Sequence, residues 1–307
     1  MPTLFIFNPN ANRGRLSAVA RSLQAAASAC PGSAWAMTTR PRHAIALAAD
    51  AANAGFSEVV AIGGDGTAHE TINGLMATPA ERRPRLGIVP FGSGNDYALN
   101  FNVPLEPLAA MRACLAAIAA NQTRVSDVGL ARDDTGRQEY WNNTLGIGFD
   151  AAVGFTTKRY AFARGFTMYL LATLDTIARN FAPTAMQIDI DGDVRAESAL
   201  MLTIGNGPRE GGGFNTTPAS RVDDGVLEYC LARPMSRPRM LKLLPEVQRG
   251  THGRFTKEVA LGTLSRLRAR WERALPIHMD GEMFADFGSP VRELEISVVP
   301  GAIRVLA

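Results

Sequence analysis

The sequence is poor in lysine, in cysteine and in long apolar runs, and each shortage closes off a class of function. Only Lys158, Lys242 and Lys257 are lysines among 307 residues, and none of them follows a glycine. A Walker A phosphate loop needs a Gly-Lys pair and is excluded. The H-R-D motif of a protein-kinase catalytic loop is also missing, so that chemistry is not expected. Cys30, Cys114 and Cys230 are odd in number and far apart. They form no disulfide framework and fit a reducing compartment, as buried bystander thiols. No apolar stretch approaches the ~18–20 residues that span a bilayer. The start, Met1-Pro2-Thr3-Leu4-Phe5-Ile6-Phe7-Asn8, lacks the basic region of a signal peptide. A cytoplasmic protein is expected, with peripheral contact at the inner face of the membrane left open. Net charge is only +3, which argues against a nucleic-acid coat and leaves nucleic acid out of the expected partners.

What is present is ordinary for a globular chain. Apolar residues make up 46% and charged residues 20%, so wholesale disorder is ruled out. The length fits two domains. In the first third, short apolar runs alternate with helical patterns. Leu4–Phe7, Trp35–Thr38, Glu58–Ile62 and Leu86–Val89 read as strands. Leu16–Ala29, His43–Ala54, Ala68–Met76 and Pro107–Ala120 read as helices. That alternation implies a mainly parallel sheet covered on both faces.

Beyond Asn121 strand-like runs dominate. They are Val125–Ala131, Tyr140–Leu145, Met186–Ile190, Leu200–Ile204, Val226–Leu231, Ala274–Met279 and Leu294–Val299. Asp191-Gly192, Asn206-Gly207 and Asp224-Gly225 mark turns between them. Two segments read as helical interruptions. Phe166–Phe181 has apolar residues at helical spacing, which suits either core packing or the wall of an apolar cleft. Arg233–Arg273 holds eleven basic and three acidic residues, a local +8. Such asymmetry points to an anionic partner such as a membrane surface, or to a solvated face without a partner.

Four short motifs carry the chemistry. Gly63-Gly64-Asp65-Gly66-Thr67 follows an apolar strand and precedes a helix. Its glycines admit close backbone approach, and its N–H groups at a helix start favour an anion. A bare phosphate would be repelled by Asp65, so Mg²⁺ or a nucleotide hydroxyl is the expected go-between. Gly92-Ser93-Gly94-Asn95-Asp96 occupies the same place after its own strand, and loops at neighbouring strand ends face one crevice. Asn8-Pro9-Asn10-Ala11-Asn12-Arg13-Gly14-Arg15 follows the first strand and offers amides and two arginines to a triphosphate. Asp280-Gly281-Glu282 supplies two carboxylates around a turn, suited to a general base and its neighbour or to metal ligation. Each motif alone is also what an ordinary turn looks like. His43, His69, His252 and His278 have no zinc spacing.

In this order, and with Asn206-Gly207, Gly211-Gly212-Gly213 and Asp223-Asp224-Gly225 added, the motifs resemble the bacterial diacylglycerol kinase family over nearly the whole chain. Sphingosine kinases and NAD kinases are more distant relatives. The resemblance implies a lipid kinase that uses ATP and Mg²⁺, with nucleotide bound between two domains. Its fold would be an N-terminal α/β domain, residues 1–124 with the chain returning at about 290–307. A larger β-sandwich-like domain would cover 125–289. Asn8, Pro9, Asn10, Ala11, Asn12, Thr38, Gly64, Asp65, Gly66, Thr67, Ala68, His69, Glu70, Ser93, Asn95 and Asp96 would line ATP. Asp65, Asp96 and Asp127 would organise the catalytic Mg²⁺. A structural Mg²⁺ would be held by the Asp224 carboxylate and the carbonyls of Arg221 and Val226. Asp280 would take the proton of the lipid hydroxyl, with Glu282 beside it. Three positions depart from the family pattern: His69 stands where Asn is common, Asn12 where a small residue is usual, and Ser93 in place of Thr. A phosphotransferase acting on a soluble acceptor, NAD kinase-like, and a nucleotide-binding membrane regulator without turnover stay open. So does a homodimer.

Overall fold

The computed structural model describes residues 2–14, 17–160, 162–163, 165–179 and 182–307. Met1 lies outside the described residues, as do Arg15, Leu16 and Phe181 of the loop and helices expected above. The chain divides into two units, Met1–Val128 with Pro300–Ala307, and Gly129–Val299.

The first unit runs β1 (Thr3–Phe7), α1 (Ser17–Ser28), β2 (Ala34–Met37), α2 (His43–Ala51), β3 (Glu58–Gly63), α3 (Asp65–Leu75), β4 (Arg85–Pro90), α4 (Asp96–Leu99), α5 (Pro107–Ala120) and the start of β5 (Arg124–Asp133). The strands β2-β1-β3-β4 pair in parallel in that order. Every residue of β1, β3 and β4 is buried, which is why these strands read as apolar runs rather than alternations. Leu23 of α1 and Met111, Ala117 and Ile118 of α5 pack against Phe5, Phe7, Val60 and Ile62. The helices α2 and α3 meet at Gly74, where a Cβ would stand 2.3 Å from the Ile45 carbonyl oxygen. A buried ion pair, Arg85 with Glu58, ties the starts of β4 and β3, and Thr3 Oγ1 donates to the same carboxylate at 3.2 Å. Because the strands are parallel, the loops after β1, β3 and β4 all leave from one edge of the sheet. Ligands of open α/β sheets bind at that edge.

The second unit runs β6 (Gln138–Trp141), β7 (Thr144–Gly148), α6 (Phe149–Thr156), α7 (Gly165–Arg179), β8 (Thr184–Ile190), β9 (Asp193–Ala199), β10 (Met201–Gly205), β11 (Leu227–Ala232), α8 (Arg237–Arg249), β12 (Val259–Leu264), β13 (Arg266–Trp271), β14 (Ile277–Met279), β15 (Glu282–Ala285) and β16 (Glu293–Val305). One antiparallel sheet has the order β12-β11-β10-β7-β14-β15. Opposite it, β16, β13, β8 and β9 pair antiparallel, and β5 pairs with β6. Ile147, Leu202, Ile204 and Ile277 of the first sheet share a buried cluster with Met186, Ile188, Leu267, Trp271 and Ile296 of the second. The unit is therefore a β-sandwich.

Several expected boundaries move. The helix expected from Ala68 begins at Asp65, so the last three residues of the glycine motif are already helical. The strand expected over Tyr140–Leu145 is broken at Asn142-Asn143, whose N–H groups turn to the Asp280 carboxylate instead of a ladder partner. Ala274–Met279 contracts to β14. Within Arg233–Arg273 helix is limited to α8 and a 3₁₀ turn at His252–Arg254, and strands β12 and β13 follow. Arg266, Arg268 and Arg270 are exposed while Leu267, Ala269 and Trp271 are buried, a period of two that the count of charges obscured. Nor is the local +8 one unpaired face. Arg233, Arg239, Arg249, Arg254, Arg266, Arg268 and Arg270 form ion pairs with Glu197, Glu258, Glu246, Glu293 or Glu295. The chain returns to the first unit at Pro300 rather than near 290. The first half of β16 is bound to β13, and its end pairs with β4 through Val305 and Leu86.

Candidate active site

In the first unit the two glycine motifs touch. A Cβ on Gly64 would lie 3.0 Å from Gly92 Cα, and one on Gly92 would lie 2.8 Å from Gly64 Cα. Only glycines let the two backbones approach this closely. Asp65, at the start of α3, accepts the Asn95 N–H at 2.6 Å and the Tyr97 N–H at 3.5 Å. Asn95, at φ 58, closes its own loop by accepting the Gly92 N–H at 2.6 Å. The first loop joins through Asn8, whose Nδ2 donates to Thr67 Oγ1 at 3.0 Å. Pro9 and Asn10 turn the chain, the Asn10 N–H bonds Asn8 Oδ1, and a short 3₁₀ turn over Ala11–Gly14 follows with Asn12 at φ 47. The Thr38 N–H bonds the Phe7 carbonyl beside them. Ser93 is exposed.

Asp65 Oδ2 and Asp96 Oδ2 each lie 3.0 Å from the point where a Gly94 Cβ would stand. The missing side chain leaves a space with two carboxylate oxygens at its rim. Hard oxygen donors in such a space fit Mg²⁺. Asp127 is buried and its Oδ1 accepts the Gly301 N–H at 2.7 Å, fastening the returning strand.

Three residues expected to line nucleotide are buried or engaged within the first unit. His69 is 1% exposed and contacts Asn73. Ala68 is buried. The Glu70 carboxylate accepts N–H groups from Arg42 at 2.9 Å and Ala44 at 3.1 Å. It thereby caps α2, whose own N-cap residue, Arg42, makes no side-chain capping bond.

In the second unit Asp280 is 8% exposed and sits at φ 53. Its carboxylate accepts the N–H of Asn142 at 2.9 Å on Oδ2, and those of Asn143 and Thr144 at 2.7 and 3.2 Å on Oδ1. Asp280 thus pins the β6–β7 corner. Glu282, two residues on, is exposed at the first position of β15.

A buried cluster beside this turn went unread in the sequence: Asp150, Glu210 and His278 offer ligand-type atoms within 4.8 Å of one another. Asp150 Oδ2 accepts from Thr203 Oγ1 at 2.7 Å and stands 3.3 Å from His278 Nε2. Burial opposes the charge of Asp150, yet the neighbouring His278 holds its carboxyl below the usual range. Burial, then Asp150's charge, push Glu210 up to about 8. The one legible signal was that these residues border motifs: Asp150 follows β7, Glu210 precedes Gly211-Gly212-Gly213, and His278 precedes Asp280. That glycine run is closed by paired backbone bonds between Glu210 and Phe214, and its glycines lie against Phe166 and Tyr169 of α7.

At the other expected metal loop, Asp224 is exposed and its Oδ1 accepts the Val226 N–H at 3.2 Å. Arg221 pairs with Asp223 at 3.3 Å. The sequence does contain the Asp-Phe-Gly triplet that protein kinases use, at Asp286-Phe287-Gly288, but here it is a turn after β15, closed by Gly288 N–H to Asp286 Oδ1. Cys114 and Cys230 are buried thiols, and burial pushes Cys114 up to about 12. Among the described residues no helix is long and apolar enough to cross a membrane.

Comparison with known proteins agrees with this anatomy. Residues 2–131 match the diacylglycerol kinase catalytic domain, and residues 143–307 match the YegS C-terminal NAD kinase β-sandwich-like domain. A Chromohalobacter salexigens protein named "Probable lipid kinase YegS-like" is 33% identical over 249 residues, 78% of this chain and 73% of that protein. A diacylglycerol kinase of Mycobacterium tuberculosis is 30% identical over 266 residues, 85% of this chain and 80% of that one. A crystal structure of a diacylglycerol kinase from Bacillus anthracis superposes with a TM-score of 0.77 at 22% identity, covering 99% of this chain and 96% of that one; this likeness speaks for the fold. With both of its units matched and relatives aligned along most of its length, the chain belongs to the bacterial diacylglycerol kinase family and is a lipid kinase, a phosphotransferase.

Proposed function

We propose that this protein transfers the γ-phosphoryl group of ATP to the hydroxyl of a lipid alcohol such as diacylglycerol, in a reaction that depends on Mg²⁺. The observation that carries this reading is the meeting of Gly64 with Gly92 beneath the carboxylates of Asp65 and Asp96. Phosphoryl transfer demands mainly positioning and charge neutralisation. The N–H groups of the glycine loops and the start of α3 suit phosphate oxygens. Asp65 and Asp96, with Asp127, would hold Mg²⁺, which when bound offsets phosphate charge. A second, structural ion at Asp224, with the carbonyls of Arg221 and Val226, belongs to the same reading.

The acceptor's share falls to the second unit. Asp280 is engaged by three backbone donors, whereas Glu282 beside it is exposed. We therefore assign the base role to Glu282 and a positioning role to Asp280. In the reaction the lipid oxygen bonds to the γ-phosphorus, its proton passes to the Glu282 carboxylate, and the bond to the bridging oxygen of ADP breaks. The apolar residues of α7 beside the glycine run, Phe166 and Tyr169, suit an acyl chain. They discriminate chains poorly, since a methylene is worth only ~1–3 kcal/mol. Contact with a membrane surface is part of this proposal, because the acceptor resides there.

The test is transfer of label from γ-³²P-ATP with Mg²⁺ to a panel of detergent-dispersed lipid alcohols, with NAD as soluble control. Label in one lipid, lost in Glu282→Gln, supports the assignment. Label in NAD alone would overturn the lipid acceptor.

A further inference from the structure

We propose that His278, oriented by Asp150, is a positioning residue that sets the Asp280-Gly281-Glu282 turn for phosphoryl transfer, its Nδ1 holding the Gly281 N–H while the ring is neutral. The inference rests on the function proposed above and adds to it how the turn is held. Asp280 and Gly281 both have positive φ, 53 and 81, so the turn that carries Glu282 is a tight one. The Gly281 N–H donates to His278 Nδ1 at 3.3 Å. With Nδ1 as acceptor, the ring proton sits on Nε2, which faces Asp150 Oδ2 at 3.3 Å and Glu210 Oε2 at 3.8 Å. Asp150 is itself held by Thr203. Thr203, Asp150, His278 and Gly281 thus form one chain of hydrogen bonds, in which the carboxylate selects the tautomer that lets the other nitrogen accept. Gly146 of β7 leaves room for it: a Cβ there would lie 2.1 Å from Asp150 Oδ2 and 2.5 Å from His278 Nε2.

The same three side chains have the spacing of a metal site, but the far nitrogen decides against that reading. A metal-bound imidazole presents its other nitrogen as a donor to an acceptor. Here the other nitrogen meets an N–H.

A second proton on the ring makes Nδ1 a donor facing a donor, and the Gly281 bond is lost. The charged groups around the ring are Asp150 from α6, Glu210 from the segment after β10, and Asp280 at the end of its own strand. β7 presents Gly146 and β15 presents Met283 beside it. Burial works against the second proton, but Asp150, then Glu210 and Asp280, favour it and push the ring up to about 9. The turn is therefore held more firmly on the alkaline side.

Two substitutions separate the ring's nitrogens. His278→Asn keeps an acceptor where Nδ1 lies and cannot be protonated; His278→Gln keeps a donor toward Asp150 and loses the acceptor. Turnover is measured with ATP, Mg²⁺ and dioctanoylglycerol in mixed micelles from about pH 7 to about pH 10. Wild-type kcat should rise along that range, and His278→Asn should hold the alkaline value with a flat profile. His278→Gln should lose on the order of tenfold in kcat with the KM for ATP unchanged. Equal kcat in the two variants, or a wild-type-like rise in His278→Asn, would overturn the proposal. Ring ¹⁵N spectra, with the His278 signals identified by their loss in the variants, give a second readout without turnover. An unprotonated Nδ1 with protonated Nε2 at the alkaline end is expected; the opposite tautomer refutes the arrangement. Absence of wild-type lipid phosphorylation would count against the acceptor proposed above, and the ring spectra would still decide the tautomer.

Discussion

Replacing Asp280 with asparagine separates its structural work from any chemical work. Asn is close in size and tolerates the left-handed backbone at φ 53, so the change falls on the hydrogen bonds. Three backbone N–H groups, from Asn142, Asn143 and Thr144, now meet a buried carboxylate. With Asn, Oδ1 still accepts two of them, but as a neutral acceptor. The amide nitrogen replaces Oδ2 and confronts the Asn142 N–H. A charged hydrogen bond is worth ~1.5–3 kcal/mol and a neutral one ~0.5–1.5. Losing one and weakening two gives a cost of about 3 kcal/mol. For a domain of this size each kcal/mol moves Tm by ~2–4 °C, so the second unit should melt roughly 6–12 °C earlier. Glu282→Gln, at an exposed position, should leave melting within ~0.5 kcal/mol of wild type while abolishing transfer. Scanning calorimetry and labelled-phosphate transfer on both variants give the answer. An Asp280→Asn protein that melts like wild type yet transfers nothing would refute the division and return the base role to Asp280.

Three further outcomes are expected. Gly94→Ala places a methyl 3.0 Å from the oxygens of Asp65 and Asp96, so Mg-ATP affinity should fall by about tenfold or more with Tm unchanged, checked by titration of a fluorescent nucleotide. Glu70→Ala removes the acceptor that caps α2 and should cost about 1 kcal/mol in denaturant unfolding. Burial holds His252 below its ordinary 6.5. The unfolded chain therefore protonates first, and stability present above about pH 6.5 is lost as pH falls from there toward the folded value. Wild-type Tm should drop over that window more steeply than the Tm of His252→Asn, and parallel curves would show that the ring contributes nothing.

Much of the first unit is legible in the chain because its sheet is parallel and buried. Strands such as β3 and β4 appear as unbroken apolar runs, and the glycine motifs lie directly at their ends. In the second unit the signals weaken. β9 alternates mostly exposed and half-buried residues, so no apolar period marks it, although the Asp191-Gly192 turn before it is plain. β13 carries a clear period of two, hidden by its arginines. A count of basic residues measures charge along the chain and says nothing of the glutamates that another strand brings opposite.

The site divides along the same line. Local motif order determined the family and singled out the glycine loops, Asp280 and Glu282 as candidates, since close backbone approach and paired carboxylates are properties of a few adjacent residues. Which partner each side chain takes was decided by tertiary structure alone. Glu70 is spent on α2, 26 and 28 positions away from the N–H groups it accepts. Asp280 is spent on a corner 136–138 residues away, and Asp150, Glu210 and His278 come from three separate elements. Hydrogen bonds and buried charges depend on distances of a few ångströms, and a linear sequence does not carry those distances until the sheets are assembled.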